Sequence, residues 1–164
     1  MHLDDSESYA APVGVLFSYY TDPMTLTTKF ESFGDEGIRV TRSDNDKKGC
    51  QIQIDREVAV DPPRAIRKFF NTRVKVTQVE DWQVVEGKEA RSRIVTKLKG
   101  IPASITTDLS IKEKDEGCLQ SVHIEVECST PILGPVIERF LLGDIRKNID
   151  SEKRYLRKQI AKGG

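Results

Sequence analysis

PILGPVIERFLLGDIRKNIDSEKRYLRKQIAK, residues 131–162, is the stretch on which the fold turns. Ile137, Leu141, Ile145, Ile149, Leu156 and Ile160 recur mostly four apart, which sets them on one stripe of a helix. Gly134-Pro135 marks its effective start, because proline suits a first helical turn and breaks a later one. Gly143 is a place where the helix can bend. A helix this long needs a surface on which to bury its stripe. The segments before it read as consecutive strands, so the expected partner is a curved antiparallel sheet gripping the helix, with a space between the two.

The rest of the chain supplies that sheet. Residues 2–10 are polar and strand-like and end at Ala10-Ala11-Pro12, where Pro12 is placed to open a helix carrying Val13, Leu16, Phe17 and Tyr20. Asp22-Pro23 reads as a cap and first-turn proline of a second short helix. Met24, Thr27, Phe30 and Phe33 are its expected core-facing residues, and Gly34 its end. Beyond Gly37 the period changes to two. Ile38 and Val40 open the first strand of this run, and Asp44-Asn45-Asp46-Lys47-Lys48-Gly49 turns the chain. Cys50, Ile52, Ile54, Val58 and Val60 share one face of the next strand. Asp61-Pro62-Pro63 breaks it, and residues 64–71 read as a short helix or a packed loop. Strands then follow over Val74–Val84, around Ile94–Leu98, over Ile105–Ile111 and over Val122–Cys128. Their punctuation is Glu86-Gly87-Lys88, Gly100-Ile101-Pro102 and Lys114-Asp115-Glu116-Gly117. No repeat, low-complexity tract or linker interrupts the pattern, so one domain is expected over residues 1–164.

Composition narrows the function classes. With 37% hydrophobic and 32% charged residues the chain is a well-solvated globular protein. Lys+Arg and Asp+Glu are both 26, which leaves no net electrostatic footprint for nucleic acid. No stretch approaches the roughly 20 apolar residues of a membrane span. The start, Met1-His2-Leu3-Asp4-Asp5, lacks the apolar region of a signal peptide, so a cytoplasmic location is expected. Cys50, Cys118 and Cys128 fit a reducing compartment and form no CxxC pair. With only His2 and His123 beside them, neither a metal nor a cofactor is expected.

The polar residues within apolar patterns are the candidates for chemistry. Arg56 points inward with Ile54 and Val58 if its strand is regular; a bulge would turn it outward, or it would snorkel to water at a cavity mouth. Gln78 and Glu80 share a face with Val74, Val76, Trp82 and Val84, and Glu80 would then neutralise Arg56; a bulge near Val79 would reverse them. Asn148 and Glu152 fall within the helical stripe at about 100° per residue. They face the sheet there, or stay in water if the helix overhangs it. Arg64, Arg67 and Lys68 alternate with Ile66, Phe69 and Phe70. That mixture suits an amphipathic turn packed at the sheet edge, or at most transient contact with a membrane surface. His123, beside Glu125 and Glu127, reads as outward. Arg154, Arg157 and Lys158 read as a solvated helix face.

Taken in this order, the elements resemble the helix-grip (SRPBCC) superfamily: START domains, birch-pollen-allergen-like proteins and polyketide cyclases. The opening Tyr9-Ala10-Ala11-Pro12-Val13 through Phe17 to Asp22 is similar to their strand-to-helix entry. Val76-Thr77-Gln78-Val79-Glu80-Asp81-Trp82 looks like a bacterial family of unknown function within that superfamily. So do Pro131-Ile132-Leu133-Gly134-Pro135-Val136-Ile137-Glu138 and the run from Asp150-Ser151-Glu152 to Leu156. The resemblance implies an α+β helix-grip fold, a sheet of about seven strands wrapped on the C-terminal helix around an apolar cavity. It implies no catalytic residues, because the superfamily shares no catalytic motif.

The expected function is non-catalytic binding, or transport, of a lipid or other hydrophobic small molecule between sheet and helix. Ile52, Ile54, Ile94, Leu98, Ile105, Leu109, Val122, Val126, Leu141 and Ile145 would line the space, though some of these must be closed core. Arg56, Asn148 and Glu152 would orient a polar head, with Thr96 and Thr107 beside them. Two rivals share the fold: a cyclase- or hydratase-type enzyme on a polyketide- or steroid-like substrate, and a protein-interaction module with a closed core. The enzyme would need a titrating carboxylate at the substrate. Against it stand the lack of an inward His and the scatter of Tyr9, Tyr19, Tyr20 and Tyr155 near element ends. Oligomeric state is not legible.

Overall fold

The computed structural model describes residues 1–45 and 48–163. Strand β1 (His2–Tyr9) leads into helices α1 (Val13–Thr21) and α2 (Pro23–Ser32). Six strands follow: β2 (Glu36–Asn45), β3 (Gly49–Ala59), β4 (Arg73–Val85), β5 (Glu89–Leu98), β6 (Ala103–Lys114) and β7 (Gly117–Cys128). A 3-10 helix over Arg64–Phe69 bridges β3 and β4, and α3 (Gly134–Gly163) closes the chain. The seven strands form one antiparallel sheet in the order β1-β7-β6-β5-β4-β3-β2. This is the α+β helix-grip arrangement. Among the described residues, no helix is long and apolar enough to cross a membrane. In the turn expected at Asp44–Gly49, Asp46 and Lys47 lie outside the described residues.

Local chemistry sets the element ends. Asp22 caps α2, its carboxylate accepting from the Thr25 amide at 2.8 Å and the Thr25 hydroxyl at 2.7 Å. Those two bonds also hold the Asp22 carboxyl below its ordinary range. The inward face of α2 differs from expectation. Leu26, Lys29 and Phe30 are buried and Phe33 packs beside them, whereas Met24 stands 79% exposed. The three-and-four spacing from Leu26 explains the rotation, and it brings a lysine inside.

Register settles which polar residues face inward. The β3–β4 ladder runs without interruption from Gly49↔Gln83 to Ala59↔Arg73, so Arg56, Gln78 and Glu80 all point to the concave face. The irregularity falls instead in β2, between Glu36 and Arg39, where Gly37 takes φ +59°.

The core is divided. One cluster gathers Leu16, Leu26, Phe30, Ile52, Ile54 and Trp82 with Leu156 of α3. The other gathers Ile66, Phe70, Val76, Ile105 and Val126 with Ile137 and Leu141. Between Leu141 and Leu156 no α3 residue is fully buried. The helix therefore meets the sheet at its two ends and stands off it in the middle.

Candidate functional site

The space under the middle of α3 is a cavity of about 330 Å³. Its floor is built from cross-strand rows that the register lines up. Gln78, Thr96 and Ile105 form one row, Glu80, Ile94, Thr107 and Ile124 the next, and Leu109 and Val122 follow. Arg56, Ile94, Thr96, Leu98, Ile105, Thr107, Leu109 and Val122 of the sheet line it, with Leu141, Ile145, Asn148 and Glu152 of α3. Three expected wall residues are closed core instead. Ile52 and Ile54 belong to the cluster held under α2 with Leu26 and Phe30. Val126 belongs to the cluster around Ile137 and Leu141, where α3 touches the sheet.

Arg56 sits inside rather than snorkelling. It donates from Nη1 to Asp35 at 2.9 Å and from Nη2 to Gln78 Oε1 at 3.3 Å, and its guanidinium lies 4.4 Å over the Phe30 ring. Asp35, not Glu80, neutralises it. Gln78 passes the chain on, donating from Nε2 to Glu80 Oε2, and Trp82 Nε1 donates to Glu80 Oε1 at 2.8 Å. Burial pushes the Glu80 carboxyl up, and the Trp82 bond, the nearby Lys29 charge and Gln78 oppose that shift.

The inner end of the cavity holds residues that sequence reasoning missed. Lys29 pairs there with Glu152. Tyr9 and Tyr20, expected to lie apart, both line the cavity and are close enough that Tyr9 raises the Tyr20 pKa. Burial is the largest cause of the upward shift at each phenol, and Glu152 the second. The Gln120 amide approaches the Tyr20 phenol within hydrogen-bonding reach and opposes the shift there. Even so, the two hydroxyls and Gln120 Oε1 are buried and complete no hydrogen bond. Tyr9 ends β1 and Tyr20 lies in the last turn of α1, so only the wrap of the sheet brings them together.

Of the lining residues, Gly34, Ala59 and Asn148 are the most exposed to solvent. Asn148 is thus exposed and Glu152 half-buried, two outcomes from one helical stripe. Opposite, the inward acids of edge strand β1 hold α3. Asp5 meets Lys153 at 2.7 Å and Arg146 at 3.7 Å, and Glu7 meets Lys153 at 3.3 Å and Arg157. Arg157, expected to be merely solvated, also lies 5.4 Å over the Tyr9 ring. His123 faces outward as expected, with Nδ1 at 2.6 Å from Asp4 and Nε2 at 3.2 Å from Glu125, contacts that raise its pKa.

Comparisons with known proteins agree on the fold. The protein TTHA0849 from Thermus thermophilus superposes with a TM-score of 0.70 at 12% identity, over 100% of this chain and 99% of that one. Ara h 8.0201, a birch-pollen-allergen-like protein, gives 0.59 at 12% identity, over 93% of each chain. Protein Ms6760 from Mycobacterium smegmatis gives 0.58 at 15% identity, over 99% of this chain and 92% of that one. At such identities the likeness concerns the fold alone. No curated protein matches the sequence. The profile of the family described as "Protein of unknown function (DUF2505)" matches residues 4–160, and the chain belongs to that family.

Proposed function

We propose that the protein binds a lipid or other hydrophobic small molecule, without transforming it, in the cavity between the sheet and α3. Transport is one use of such binding. The observation that carries the reading is the stand-off of α3 between Leu141 and Leu156 over a largely apolar space of about 330 Å³. That volume falls at the lower end of the roughly 300–1,000 Å³ of small-molecule sites. An apolar cavity left empty costs stability, so an occupant that fills it stabilises the folded chain. The reading carries with it a cytoplasmic location and at most transient membrane contact at Arg64–Phe70.

An enzyme of the cyclase or hydratase type is the second reading, and Glu80 is what favours it, being a buried carboxyl on the cavity wall with a raised pKa. Both of its oxygens already accept hydrogen bonds, from Trp82 and Gln78, which leaves it poorly placed to take a substrate proton. The interaction module with a closed core has less support, given the open space.

Native mass spectrometry of protein purified from its own host, followed by solvent extraction, tests the reading. A small-molecule adduct is expected on the wild type and not on Ile145→Trp, whose indole would fill the cavity. A clean apo mass from native extract, with no adduct after exposure to a lipid mixture, would overturn it.

A further inference from the structure

The inner end of the cavity carries more hydrogen-bonding capacity than the protein uses. Tyr9 and Tyr20 are 3% and 6% exposed, and among the described residues neither hydroxyl completes a hydrogen bond, although Gln120 approaches Tyr20. Gln120 Oε1 is in the same condition. Buried polar groups are ordinarily satisfied, and an exception calls for a physical reason. These three line one cavity, so a ligand atom can supply what the protein does not.

The groups are also held in place. The Tyr20 ring packs at 5.7 Å from the Trp82 ring. Tyr9 pairs with Cys118 across the β1–β7 ladder, and a Cβ on the neighbouring Gly117 would come within 2.1 Å of the Tyr9 carbonyl oxygen. Glycine there lets β1 approach and fixes the strand end that carries the phenol.

The surrounding charges select among head groups. Lys29 and Glu152 spend their charges on each other. Each Glu80 oxygen already accepts a hydrogen bond, from Trp82 or Gln78. Arg56 keeps a free Nε–H, but Asp35 matches its charge. Paired as they are, Glu152 and Glu7 still outweigh Arg157 at Tyr9, and Glu152 and Glu80 act in the same sense at Tyr20, so the field at the phenols disfavours an anionic head. A cationic head would meet Lys29, 5.2 Å over the Tyr20 ring, and would find few free acceptors. What fits is an uncharged oxygen that accepts from the two hydroxyls and, where it bears a proton, donates to Gln120.

We propose that Tyr9, Tyr20 and Gln120 form the head-group subsite of the cavity, and that its ligand is an apolar molecule ending in a ketone or alcohol rather than a fatty acid or phospholipid. This rests on the binding reading above and specifies the ligand class.

Calorimetric titration with four probes of one ring skeleton tests it: tetralin, tetralone, tetralol and tetralin carboxylic acid. Tetralone and tetralol are expected to bind tighter than tetralin, by roughly fivefold for each hydroxyl engaged, and the acid more weakly than either. Tyr9→Phe/Tyr20→Phe should remove the preference of tetralone and tetralol over tetralin. The substitutions delete only unpartnered hydroxyls, so the variant is expected to fold. Should it not, Gln120→Leu serves instead, narrowing the gain of tetralol over tetralone. Equal binding of tetralin and tetralone, a preference for the acid, or a preference untouched by the substitutions overturns this proposal alone. Binding of none of the four overturns the cavity reading together with it.

Discussion

The ammonium of Lys29 on α2 is paired with the carboxylate of Glu152 on α3, the lysine side chain 4% exposed and the glutamate 27%. The pair joins two helices separated in sequence by the whole strand run, and it closes the inner end of the cavity. Lys29 also lies 5.2 Å and 4.8 Å over the Tyr20 and Phe30 rings. A buried charge persists only where such partners exist.

Removing the lysine alone should therefore cost more than removing the pair. Lys29→Met leaves Glu152 and Glu80 without their nearby cation. An expected loss of about 3 kcal/mol allows for the part of Glu152 that water screens. Lys29→Met/Glu152→Leu should recover most of it, because both charges go together. Urea midpoints of the two single variants and the double variant give the coupling. Strictly additive losses would show that the pair does not act as a unit.

Glu80 makes stability depend on pH in an unusual direction. Its folded-state pKa is raised, mainly by burial. The native state thus holds a proton over a window where the unfolded chain has released it. Its contribution is full below the ordinary glutamate value of about 4.3 and is lost as pH rises through the folded value. The wild type should lose stability across that window relative to Glu80→Gln, which cannot titrate. Urea melts from mildly acidic to neutral pH check this. Parallel curves would mean that Lys29, Trp82 and Gln78 fully offset the burial.

Much of this fold was legible because its periods are. The four-residue stripe from Ile137 to Ile160 and the alternation from Cys50 to Cys128 are local signals, and the caps at Asp22-Pro23 and Gly134-Pro135 bound them. The candidate site was less legible. Whether Arg56, Gln78 and Glu80 faced inward depended on where one bulge fell, and it fell at Gly37, in a different strand. Which isoleucines were wall and which were core depended on how far α3 stands off the sheet, a property of no single segment. Tyr9 and Tyr20 come together only in three dimensions, where the end of β1 and α1 enter one core cluster with Trp82. The one sequence signal for the inner end was a lysine on the Leu26–Phe30–Phe33 face of α2.

The split between core and wall has a direct energetic consequence. Ile52 is wholly buried in the cluster beneath α2, so Ile52→Ala should cost about 3–4 kcal/mol for lost transfer energy plus a cavity. Ile145 faces a cavity already present, and Ile145→Ala should cost only about 1 kcal/mol. Chemical denaturation of both variants measures the difference. Equal costs would mean that the middle of α3 packs as tightly as its ends.

The two unpartnered phenols predict an alkaline signature. Burial first and Glu152 second raise the pKa of Tyr9 and Tyr20 above the ordinary value. In the unfolded chain both ionise near their ordinary value of about 10. Above that pH the native state retains protons that the unfolded state has lost, so stability falls as pH climbs toward the folded values. Below it, both states are fully protonated and the phenols add no pH dependence. Tyr9→Phe/Tyr20→Phe cannot ionise at either position. Its stability relative to the wild type should stay constant from neutral to mildly alkaline pH and then grow steadily above about pH 10. Tyr155, whose pKa is also raised, is present in both proteins and cancels from the difference. Urea midpoints at stepped alkaline pH read it out, and a difference flat across the whole range would mean that water reaches the hydroxyls in solution and cancels the effect of burial.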